Sequence, residues 1–380
     1  MRRRLTIGLD AKRIVSNGTG LGSYGRTLSN DLSREEDLQL RLYAPDEGRG
    51  DLRGQVAERD NLRFCYPDGH PNGIGKALWR TWGIVSQLQD DRIDIYHGLS
   101  GELPIGISKT RIRTVVTIHD LIFMRHPEYY HWIDRKIYEW KFRKTLNEAD
   151  RIVAISECTR RDICELGGVD EDKIDLIYQS CAARFTADTN PQHVLQVVQK
   201  YGLPERYVLS VGSVEERKNT LLALKALHWL PGDVQLVLVG RSTPYTKKLI
   251  SYAQKNSLAH RLHLLHGVPD DDLPAIYARA EVFVYPSRYE GFGIPIIEAV
   301  RMGLPVVGCT GSCLEEAGGP DNFYVDPDRP EDMATAITRL LKGAEGRQQR
   351  ISLSQGYISR FEGSDAARCF NDLYHSMINE

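Results

Sequence analysis

Short apolar segments alternate with helical patterns along most of this chain, and that alternation restricts the fold more than any other feature. The strands predicted in the first half are Leu5–Asp10, Leu38–Tyr43, Leu62–Tyr66, Ile93–His97, Arg113–Ile118, Arg151–Ile155 and Lys173–Tyr178. Helical patterns separate several of them, as in residues 74–88 and 133–146. Because parallel strands need such crossover helices, the pattern predicts a mostly parallel sheet with helices on both faces.

The pattern stops in the polar segment 180–190 and then starts again. The strands predicted in the second half are Val208–Gly212, Val234–Val239, Leu262–His266, Val282–Val284, Pro305–Gly308 and Phe323–Val325. A chain of 380 residues can form two cores. We therefore predict an α/β protein with two Rossmann-like, doubly wound domains, at residues 1–183 and 184–364, that face each other across a cleft.

Charge, cysteine content and hydropathy exclude several classes of protein. The formal net charge of −2 gives no general attraction to nucleic acid. The seven cysteines are scattered without a C-x-x-C pair, so we expect reduced thiols and no metal site. No apolar run approaches the ~18 residues that a membrane-spanning helix needs, and we expect a cytoplasmic protein.

The segment from Tyr285 to Glu298 has the composition of an anion-binding corner. It follows a predicted buried strand, and its turn Gly291-Phe292-Gly293 is followed by Ile294 and a proline suited to the first helical turn. Glycine permits positive φ, and a helix N-terminus directs free N–H groups toward an anion. Glu290 in the turn and Glu298 in the helix could accept hydrogen bonds from substrate hydroxyls. Ordinary surface carboxylates are the alternative.

Two adjacent cations follow an earlier strand of the same half. Arg217 and Lys218 enter a predicted helix directly after the strand that ends at Gly212. Two cations beside a helix N-terminus could neutralise a diphosphate without a metal. An exposed basic pair, neutralised by Glu215 and Glu216, is the alternative.

Three further loops are candidates for ligand binding. His119 ends a strand of the first half and could contact a sugar hydroxyl or a developing charge, or simply bond to Asp120. The loop that contains Val268 could offer backbone groups to a nucleobase, or could be an ordinary turn. The loop that contains Gly20 and Gly22 lies between the first strand and a helix, a common phosphate-binding position, although such glycines also serve tight turns.

Taken together, these segments resemble the retaining GT-B glycosyltransferases of family 4, the large group 1 family, over nearly the whole chain. Residues 290–298 are similar to the E-x7-E motif of that family. Residues 117–121, 19–24 and 155–159 are similar to segments of its mannosyltransferase-like branch, which builds O-antigen and other polysaccharides.

The resemblance implies a role for each matching residue of the second half. Lys218 would hold the donor diphosphate, and Arg217 would supply a second charge because Ser213 stands where many members carry arginine. Glu290 would lie near the donor sugar, and Glu298 would bind the donor ribose. The remaining donor-binding residues implied or predicted are Gly20, Gly22, Val268, Gly291, Phe292, Gly293 and Ile294.

For the first half, the resemblance implies that His119 lies at the transferred sugar and that the last helix, about 365–380, packs back on the first domain. The implied reaction moves a hexose, with mannose from GDP-mannose as the first guess, to a glycan or lipid-linked acceptor with retention of configuration. No cofactor and no metal would be required. The D-x-D match at Asp326–Asp328 is interpreted as coincidence.

Other activities remain open at this point. A nucleotide-sugar epimerase or a sucrose- or starch-type synthase would share the architecture, and a dinucleotide-dependent oxidoreductase would share the tandem sheets. A non-catalytic sugar- or nucleotide-binding relative is a further alternative. The glycine loop lacks a clean G-x-G-x-x-G, which disfavours the oxidoreductase.

One helical segment bears on membrane contact. Residues 135–144 are basic and aromatic, and they could lie against a membrane that holds a lipid-linked acceptor. The alternative is an amphipathic helix with Ile133, Ile137 and Trp140 in the core. Peripheral association with the inner face of the cytoplasmic membrane is therefore an expectation that the exposure of these side chains can test.

Overall fold

The structure is a computed structural model that describes residues 3–69, 72–185, 189–361 and 363–379. The chain divides into two compact units, one formed by residues 1–180 with 361–380 and the other by residues 181–360. Part of the predicted linker, residues 186–188, lies outside the described residues, as does residue 380 of the predicted last helix.

The first unit contains a seven-stranded parallel sheet in the order β3-β2-β1-β4-β5-β6-β7. Its strands are β1 (Leu5–Asp10), β2 (Leu38–Tyr43), β3 (Leu62–Cys65), β4 (Ile95–Gly98), β5 (Arg113–Ile118), β6 (Arg151–Ala154) and β7 (Ile174–Leu176). Its helices are α1 (Lys12–Ser16), α2 (Gly20–Leu32), α3 (Gly50–Arg53), α4 (Gly73–Leu78), α5 (Ile84–Asp90), α6 (Ile122–Arg125), α7 (Trp132–Glu148), α8 (Glu157–Gly167) and α17 (Gly363–Asn379). A π-helical turn, Trp79–Gly83, joins α4 to α5.

The second unit contains a six-stranded parallel sheet in the order β10-β9-β8-β11-β12-β13. Its strands are β8 (Tyr207–Val211), β9 (Gln235–Val239), β10 (Leu262–Leu265), β11 (Val282–Tyr285), β12 (Val306–Cys309) and β13 (Phe323–Val325). Its helices are α9 (Pro191–Tyr201), α10 (Thr220–Ala226), α11 (Thr246–Lys255), α12 (Leu273–Arg279), α13 (Ile294–Arg301), α14 (Leu314–Gly318), α15 (Pro330–Thr338) and α16 (Arg347–Ile358). The short 3-10 turns among the described residues are Ile107–Lys109, Pro127–Tyr129, Glu171–Lys173, Ala183–Phe185, Leu227–Trp229, Ala259–Arg261 and Ser359–Phe361.

Each sheet is covered by helices on both faces, which explains its apolar strands. In the first unit the consecutive residues Val115 and Val116 of β5, which point to opposite faces, have no exposed surface, and neither do Val282 and Phe283 of β11 in the second. Strands buried on both faces are continuously apolar rather than alternating. In both sheets the strand order reverses at one point, between β1 and β4 and between β8 and β11, and ligands of doubly wound sheets bind at such points.

The last helix packs within the first unit. Phe370, Leu373 and Tyr374 of α17 belong to the same apolar cluster as Leu28 and Leu32 of α2. The Tyr374 hydroxyl also lies 2.7 Å from Nδ1 of the buried His97. The helix therefore covers one face of the first sheet.

The predicted glycine loop near residue 20 is wrong in one respect, because both glycines lie inside helix α2. This helix begins at Gly20, and its N-cap is Thr19 in extended conformation. A Cβ on Gly22 would lie 1.8 Å from the carbonyl oxygen of Asn17. Gly22 is therefore required by close backbone packing at the helix start, whereas the prediction assigned it to a turn before the helix.

The core-facing alternative for helix α7 is also wrong. Ile133, Ile137 and Trp140 are 46%, 46% and 50% exposed, while Phe142 and Thr145 on the same helix are buried. Among the described residues no helix is both long and apolar enough to cross a membrane.

Candidate functional site

A buried ion pair lies at the point where the strand order of the second sheet reverses. Lys218 follows β8 and Glu290 follows β11, and the Lys218 Nζ lies 2.6 Å from the Glu290 Oε1. The same Nζ donates to the Tyr285 hydroxyl oxygen at 2.8 Å. The two neighbouring central strands therefore bring a cation and a carboxylate together from positions far apart in the sequence.

Burial and the opposite charge determine the ionisation of this pair. The Lys218 ammonium and the Arg217 guanidinium hold the pKa of Glu290 down to about 2, although burial alone would raise it. The pKa of Lys218 is raised by Glu290, against the effect of burial. Both groups are therefore charged at neutral pH, as expected for a buried pair in which each ion compensates the other.

Arg217 completes a cluster of two cations around one carboxylate. Its NH1 lies 3.0 Å from the Glu290 Oε1 and donates to the Tyr289 carbonyl at 2.6 Å. The Arg217 carbonyl in turn accepts from the Arg288 N–H at 3.0 Å. The loops after β8 and β11 are thus joined both by contacts of the Arg217 side chain and by a backbone hydrogen bond.

The alternative in which the neighbouring glutamates neutralise the basic pair is wrong. Glu215 lies 3.8 Å from Arg241, and Glu216 lies 3.5 Å from Lys248. Both glutamates pair with cations of the next segment, so Glu290 is the carboxylate that compensates Arg217 and Lys218.

The glycine turn beside Glu290 is tightly packed. Gly293 has φ of 136°, and a Cβ there would lie 3.1 Å from the Ala317 side chain. Gly291 and Phe292 are buried, and Ile294 begins helix α13 with a proline in its first turn. The turn therefore places its backbone directly at the start of this helix.

A cysteine holds the backbone of this turn by hydrogen bonds, a role that no sequence pattern indicates. The Cys313 thiol donates to the Glu290 carbonyl at 3.1 Å and also bonds to the Phe292 carbonyl. All seven cysteines are free thiols in the structure. Cys313 therefore acts as a hydrogen-bonding residue that holds the backbone of the turn.

The surroundings of Glu298 shift its pKa in the direction opposite to the shift at Glu290. It is buried on helix α13, and the hydroxyl of the fully buried Tyr277 donates to its Oε2 at 2.9 Å. Burial raises the pKa of Glu298 to about 7. Two carboxylates of one segment thus have pKa values that are displaced in opposite directions by their surroundings.

The loops that follow the neighbouring strands β8, β9 and β10 lie at the same carboxyl edge of the second sheet. Gly212 follows β8 with φ of 145°, and a Cβ on Gly240 after β9 would lie 1.8 Å from the Gly212 carbonyl oxygen. After β10 the His266 Nδ1 lies 2.6 Å from the Gly240 carbonyl oxygen, and Val268 follows half-buried. This close backbone packing positions the Val268 loop at the carboxyl edge of the sheet.

In the first unit, His119 is fixed at the end of β5 by two hydrogen bonds. Its Nε2 lies 2.8 Å from the Leu99 carbonyl oxygen, and its Nδ1 lies 2.8 Å from the Gln179 Nε2. The Tyr24 ring of α2 packs edge-on against the imidazole, with ring centroids 4.7 Å apart. Burial lowers the pKa of His119 to about 4, so the ring is neutral at physiological pH.

The structure thus brings Arg217, Lys218 and Glu290 into direct contact in the second unit. Helix α2, which contains Gly20 and Gly22, approaches His119 through Tyr24 in the first unit. Sequence reasoning assigned no role to the contacting residues, which are Tyr285, Tyr277, Cys313 and Gln179, because their positions follow no functional spacing pattern.

The D-x-D segment has a structural role of its own. Asp328 is ion-paired with Arg288, and its N–H donates to the Asp326 Oδ1 at 2.8 Å. The Pro327 carbonyl accepts from the Asn219 side chain at 2.8 Å. These contacts tie the segment to the loops after β8 and β11.

Two doubly wound parallel units, each with a reversal of strand order, are the architecture of the GT-B glycosyltransferases. Sucrose-phosphate synthase from Thermosynechococcus elongatus has this fold, with a TM-score of 0.79, 20% identity and coverage of 99% of this chain and 100% of that one. HepE from Anabaena, solved in complex with UDP and glucose, matches with a TM-score of 0.74, 16% identity and coverage of 98% and 100%. At these identities the likeness establishes the fold.

The sequence establishes the family. Residues 195–354 match the family described as glycosyl transferases group 1, and residues 18–180 match glycosyltransferase family 4. The O-antigen chain mannosyltransferase B of Escherichia coli is 33% identical over 267 residues, which cover 69% of this chain and 68% of that protein. The chain belongs to the group 1, family 4 glycosyltransferases and is a glycosyltransferase.

A second relative is longer than this chain. The serotype-specific mannosyltransferase WbdA of Escherichia coli is 28% identical over 293 residues, which cover 73% of this chain. The matched region is 36% of the length of WbdA. The matched part of this chain therefore corresponds to about a third of that relative.

Proposed function

We propose that this glycosyltransferase transfers a hexose, with mannose as the best candidate, from a nucleotide diphosphate sugar to a glycan or lipid-linked acceptor, with retention and without a metal. The observation that carries the proposal is the cluster of Arg217, Lys218 and Glu290 at the strand-order reversal of the second sheet. Similarity to O-antigen mannosyltransferases supports mannose and a function in cell-surface polysaccharide synthesis. GDP-mannose is therefore the first donor to test.

The cation cluster suits the leaving group of such a donor. Cleavage of the bond between the sugar and the diphosphate transfers negative charge to the nucleoside diphosphate. Two fixed cations, with N–H groups at the start of helix α13, would stabilise that charge without reorganising during the reaction. Arg217 and Lys218 are already held near each other by Glu290, so the positive charge is preorganised.

Glu290 would have two consecutive functions. Before the donor binds, its carboxylate keeps both cations in place and compensates their burial. When a diphosphate replaces it as their partner, Glu290 becomes available to the hydroxyls of the donor sugar and to the positive charge that develops on the sugar. This places a charged acceptor beside the reacting centre, as the resemblance implies.

Glu298 is proposed as the ribose ligand. Its Oε2 accepts from Tyr277, which leaves its other carboxylate oxygen to accept from a ribose hydroxyl. The roles of His119 at the transferred sugar, and of Val268, Gly20 and Gly22 near the nucleotide, stay predictions. Retention follows from attack by the acceptor on the face that the diphosphate leaves, with no protein nucleophile required.

We also infer that helices α4 and α7 contact an anionic membrane surface. Their exposed apolar side chains include Ile74, Leu78 and Trp132, which are 74%, 51% and 66% exposed. On α7 the exposed cations Arg143 and Lys144 form no ion pair among the described residues. Apolar side chains together with unpaired cations are complementary to acidic headgroups and the acyl boundary.

The test is a transfer assay with the purified chain. GDP-mannose is incubated with a mannose-terminated oligosaccharide or a lipid-linked saccharide, with and without a metal chelator, and the products are analysed by mass spectrometry and NMR. The proposal requires a mannosylated acceptor with the α-configuration of the donor and an unchanged rate in chelator. A new nucleotide sugar formed without an acceptor would indicate the epimerase instead.

A further inference from the structure

His119 connects the segments that follow four neighbouring strands of the first sheet. It comes directly after β5, its Nε2 lies 2.8 Å from the Leu99 carbonyl oxygen after β4, and its Nδ1 lies 2.8 Å from the Gln179 Nε2 after β7. Its own carbonyl oxygen accepts from the Thr159 hydroxyl, in the first turn of α8 after β6, at 3.2 Å. Because the strand order is β4-β5-β6-β7, one histidine joins this whole edge of the sheet.

The contacts of the imidazole determine which ring nitrogen carries the hydrogen. A backbone carbonyl oxygen can only accept, so the Nε2 that faces Leu99 is the protonated nitrogen. A neutral imidazole has one N–H, which leaves Nδ1 as an acceptor, and the side-chain amide of Gln179 donates to it. Both nitrogens of His119 are therefore engaged within the protein.

Burial and the Gln179 amide both favour the neutral ring. Burial lowers the pKa of His119 to about 4. An imidazolium would carry a hydrogen on each nitrogen, and the Gln179 N–H would then have no acceptor at Nδ1. The hydrogen bond from Gln179 therefore stabilises only the neutral form, in the same direction as burial.

The titratable neighbours of His119 come from α2, β4 and its own loop. The Tyr24 ring of α2 lies at 85° to the imidazole, and burial raises the pKa of its hydroxyl far above the ordinary value. Burial, and then the proximity of His119, lower the pKa of His97 on β4 to about 3, so this second imidazole is neutral as well. The Oδ1 of Asp120, the next residue, accepts from a backbone N–H of helix α6 at 3.2 Å.

A further chain of contacts holds the aromatic neighbour in place. The Tyr24 hydroxyl lies 3.2 Å from the Thr117 Oγ1, which also lies 2.8 Å from the Nε2 of His97. The other nitrogen of His97 lies 2.7 Å from the Tyr374 hydroxyl of α17. The ring that packs against His119 is thus fixed from the interior of the unit, and Gln179 fixes the imidazole from the segment after β7.

We propose that Gln179 is a positioning residue of this enzyme, which selects the Nε2–H tautomer of His119 and orients the ring between the segments after β4 and β7. His119 then exchanges no proton during the reaction. The inference rests on the proposed function in one respect, because His119 is the residue assigned there to the transferred sugar. Positive charge develops on that sugar, and a neutral imidazole adds no repulsion to it.

The direct test is the tautomer of His119 in the full chain, read by NMR of isotope-labelled protein without any ligand. The chain contains eleven histidines, so the ring signals of His119 are assigned through their connectivity to its own backbone. We expect a bare Nδ1 and a protonated Nε2. Their shifts should stay constant between about pH 5.5 and about pH 8, because the ring titrates below this range.

Two substitutions separate the hydrogen bond of Gln179 from its packing. Gln179→Met has a similar length and no donor, so the pKa of His119 should rise and its Nδ1 signal should move. Gln179→Glu keeps the shape and replaces the donor by an acceptor, so His119 should gain a hydrogen on Nδ1 and titrate within the measured range. If Gln179 only fills space, Gln179→Met leaves the His119 signals as they are in the wild type.

The transfer assay gives the functional consequence. Both Gln179 variants should lower kcat about tenfold and change KM for the donor less than about twofold, because the ring acts at the reacting sugar. In Gln179→Glu the loss of kcat should deepen as the pH falls and the imidazole becomes charged. The matched controls are Gln89→Met and Gln89→Glu, at an exposed glutamine of α5 in the same unit, which should leave the His119 signals and kcat unchanged.

Three results would overturn the inference: an Nδ1–H tautomer in the wild type, titration of wild-type His119 within the measured range, or wild-type signals and kcat in Gln179→Met. If a Gln179 variant does not fold, the spectra of the wild type still decide the tautomer. The spectra need neither donor nor acceptor. Transfer by the wild type together with a contrary spectrum therefore overturns this inference alone, and the expected spectra without any transfer overturn the proposed function alone.

Discussion

The Lys218 ammonium lies 2.6 Å from the Glu290 carboxylate, on two loops that leave neighbouring parallel strands. In the proposed reaction, the pair would position the positive charge for a leaving diphosphate, and its carboxylate would be released for another partner when the diphosphate binds.

Removal of either member of this pair should abolish transfer while the fold persists. We expect Lys218→Ala and Glu290→Ala each to lower kcat by about 100-fold or more, because each removes a fixed charge at the reacting centre. The measurement is the rate of product formation, with circular dichroism as the check on folding. Lys255→Ala, an exposed lysine of helix α11, serves as the control. A folded variant of Lys218 or Glu290 with near-normal turnover would refute the assigned role.

The depressed pKa of Glu290 predicts a specific loss of stability in acid. Its folded-state pKa is about 2, below the ordinary 4.5, so the unfolded state binds more protons between these values. The stabilisation is complete above about pH 5 and is lost as the pH falls toward 2. We expect the free energy of unfolding to depend less on pH in this window for Glu290→Gln than for the wild type.

The control for this acid titration is Glu205→Gln, an exposed glutamate of the same unit. The free energy of unfolding of this control variant should change with pH as steeply as that of the wild type. If the free energy of unfolding of the wild type and that of Glu290→Gln depend equally on pH, the cations beside Glu290 do not hold it in its charged form.

Glu298 predicts the opposite pH dependence and links it to the nucleotide. Its pKa is raised to about 7 by burial, so the folded state holds a proton that the unfolded state releases above 4.5. Stability contributed by this group therefore falls as the pH rises toward 7. If Glu298 binds the ribose as proposed, that site gains a charged acceptor over the same pH range, and the affinity for a nucleoside diphosphate should rise with pH.

Affinity is compared by calorimetry between about pH 6 and about pH 8, the range in which a group with this pKa titrates. The phosphate of the nucleotide titrates identically with both proteins, so the difference between the wild type and Glu298→Gln reports Glu298. We expect the wild type to gain more affinity than the variant as the pH rises. Parallel pH profiles would contradict the ribose assignment.

Membrane contact through α4 and α7 predicts a dependence on lipid charge. Vesicles with phosphatidylglycerol should bind the protein, and vesicles of phosphatidylcholine alone should bind it much less, since the cations add about 1 kcal/mol each at an anionic surface. The triple substitution of Lys136, Lys141 and Lys144 by Glu should remove binding in a flotation assay. Lys109→Glu is the single-site control outside the surface, and persistence of binding in the triple variant would exclude this contact.

The sheets could be predicted from the sequence because their strands are buried on both faces. Short segments rich in apolar and β-branched residues, such as Leu5–Asp10 and Arg113–Ile118, can be recognised without knowledge of tertiary neighbours, and the structure has strands at these residues. The sequence predicts a start of helix α2 that is too late, because glycine at residues 20 and 22 indicates a turn as readily as close packing. The helix begins at Gly20.

The sequence predicts site residues of several kinds: the charged residues and glycines, His119, and the apolar residues Val268, Phe292 and Ile294. Lys218 and Glu290 follow strand ends, which the sequence reveals, and the position of both loops then depends on the strand order. Tyr285, Cys313 and Gln179 could not be predicted, since each acts through a contact that only tertiary structure creates. The exposure of Trp140 on α7 likewise depends on what packs beside the helix.

The central claim is that the second unit holds the nucleoside diphosphate of the donor with Lys218. Thermal unfolding of the wild type and of Lys218→Ala, with GDP, UDP and ADP compared side by side, tests it most directly. The account predicts a rise in Tm of the wild type that is largest with GDP and is lost in Lys218→Ala. A larger rise with UDP would contradict the choice of GDP-mannose, and no rise with any of the three, or an equal rise in Lys218→Ala, would contradict the site itself.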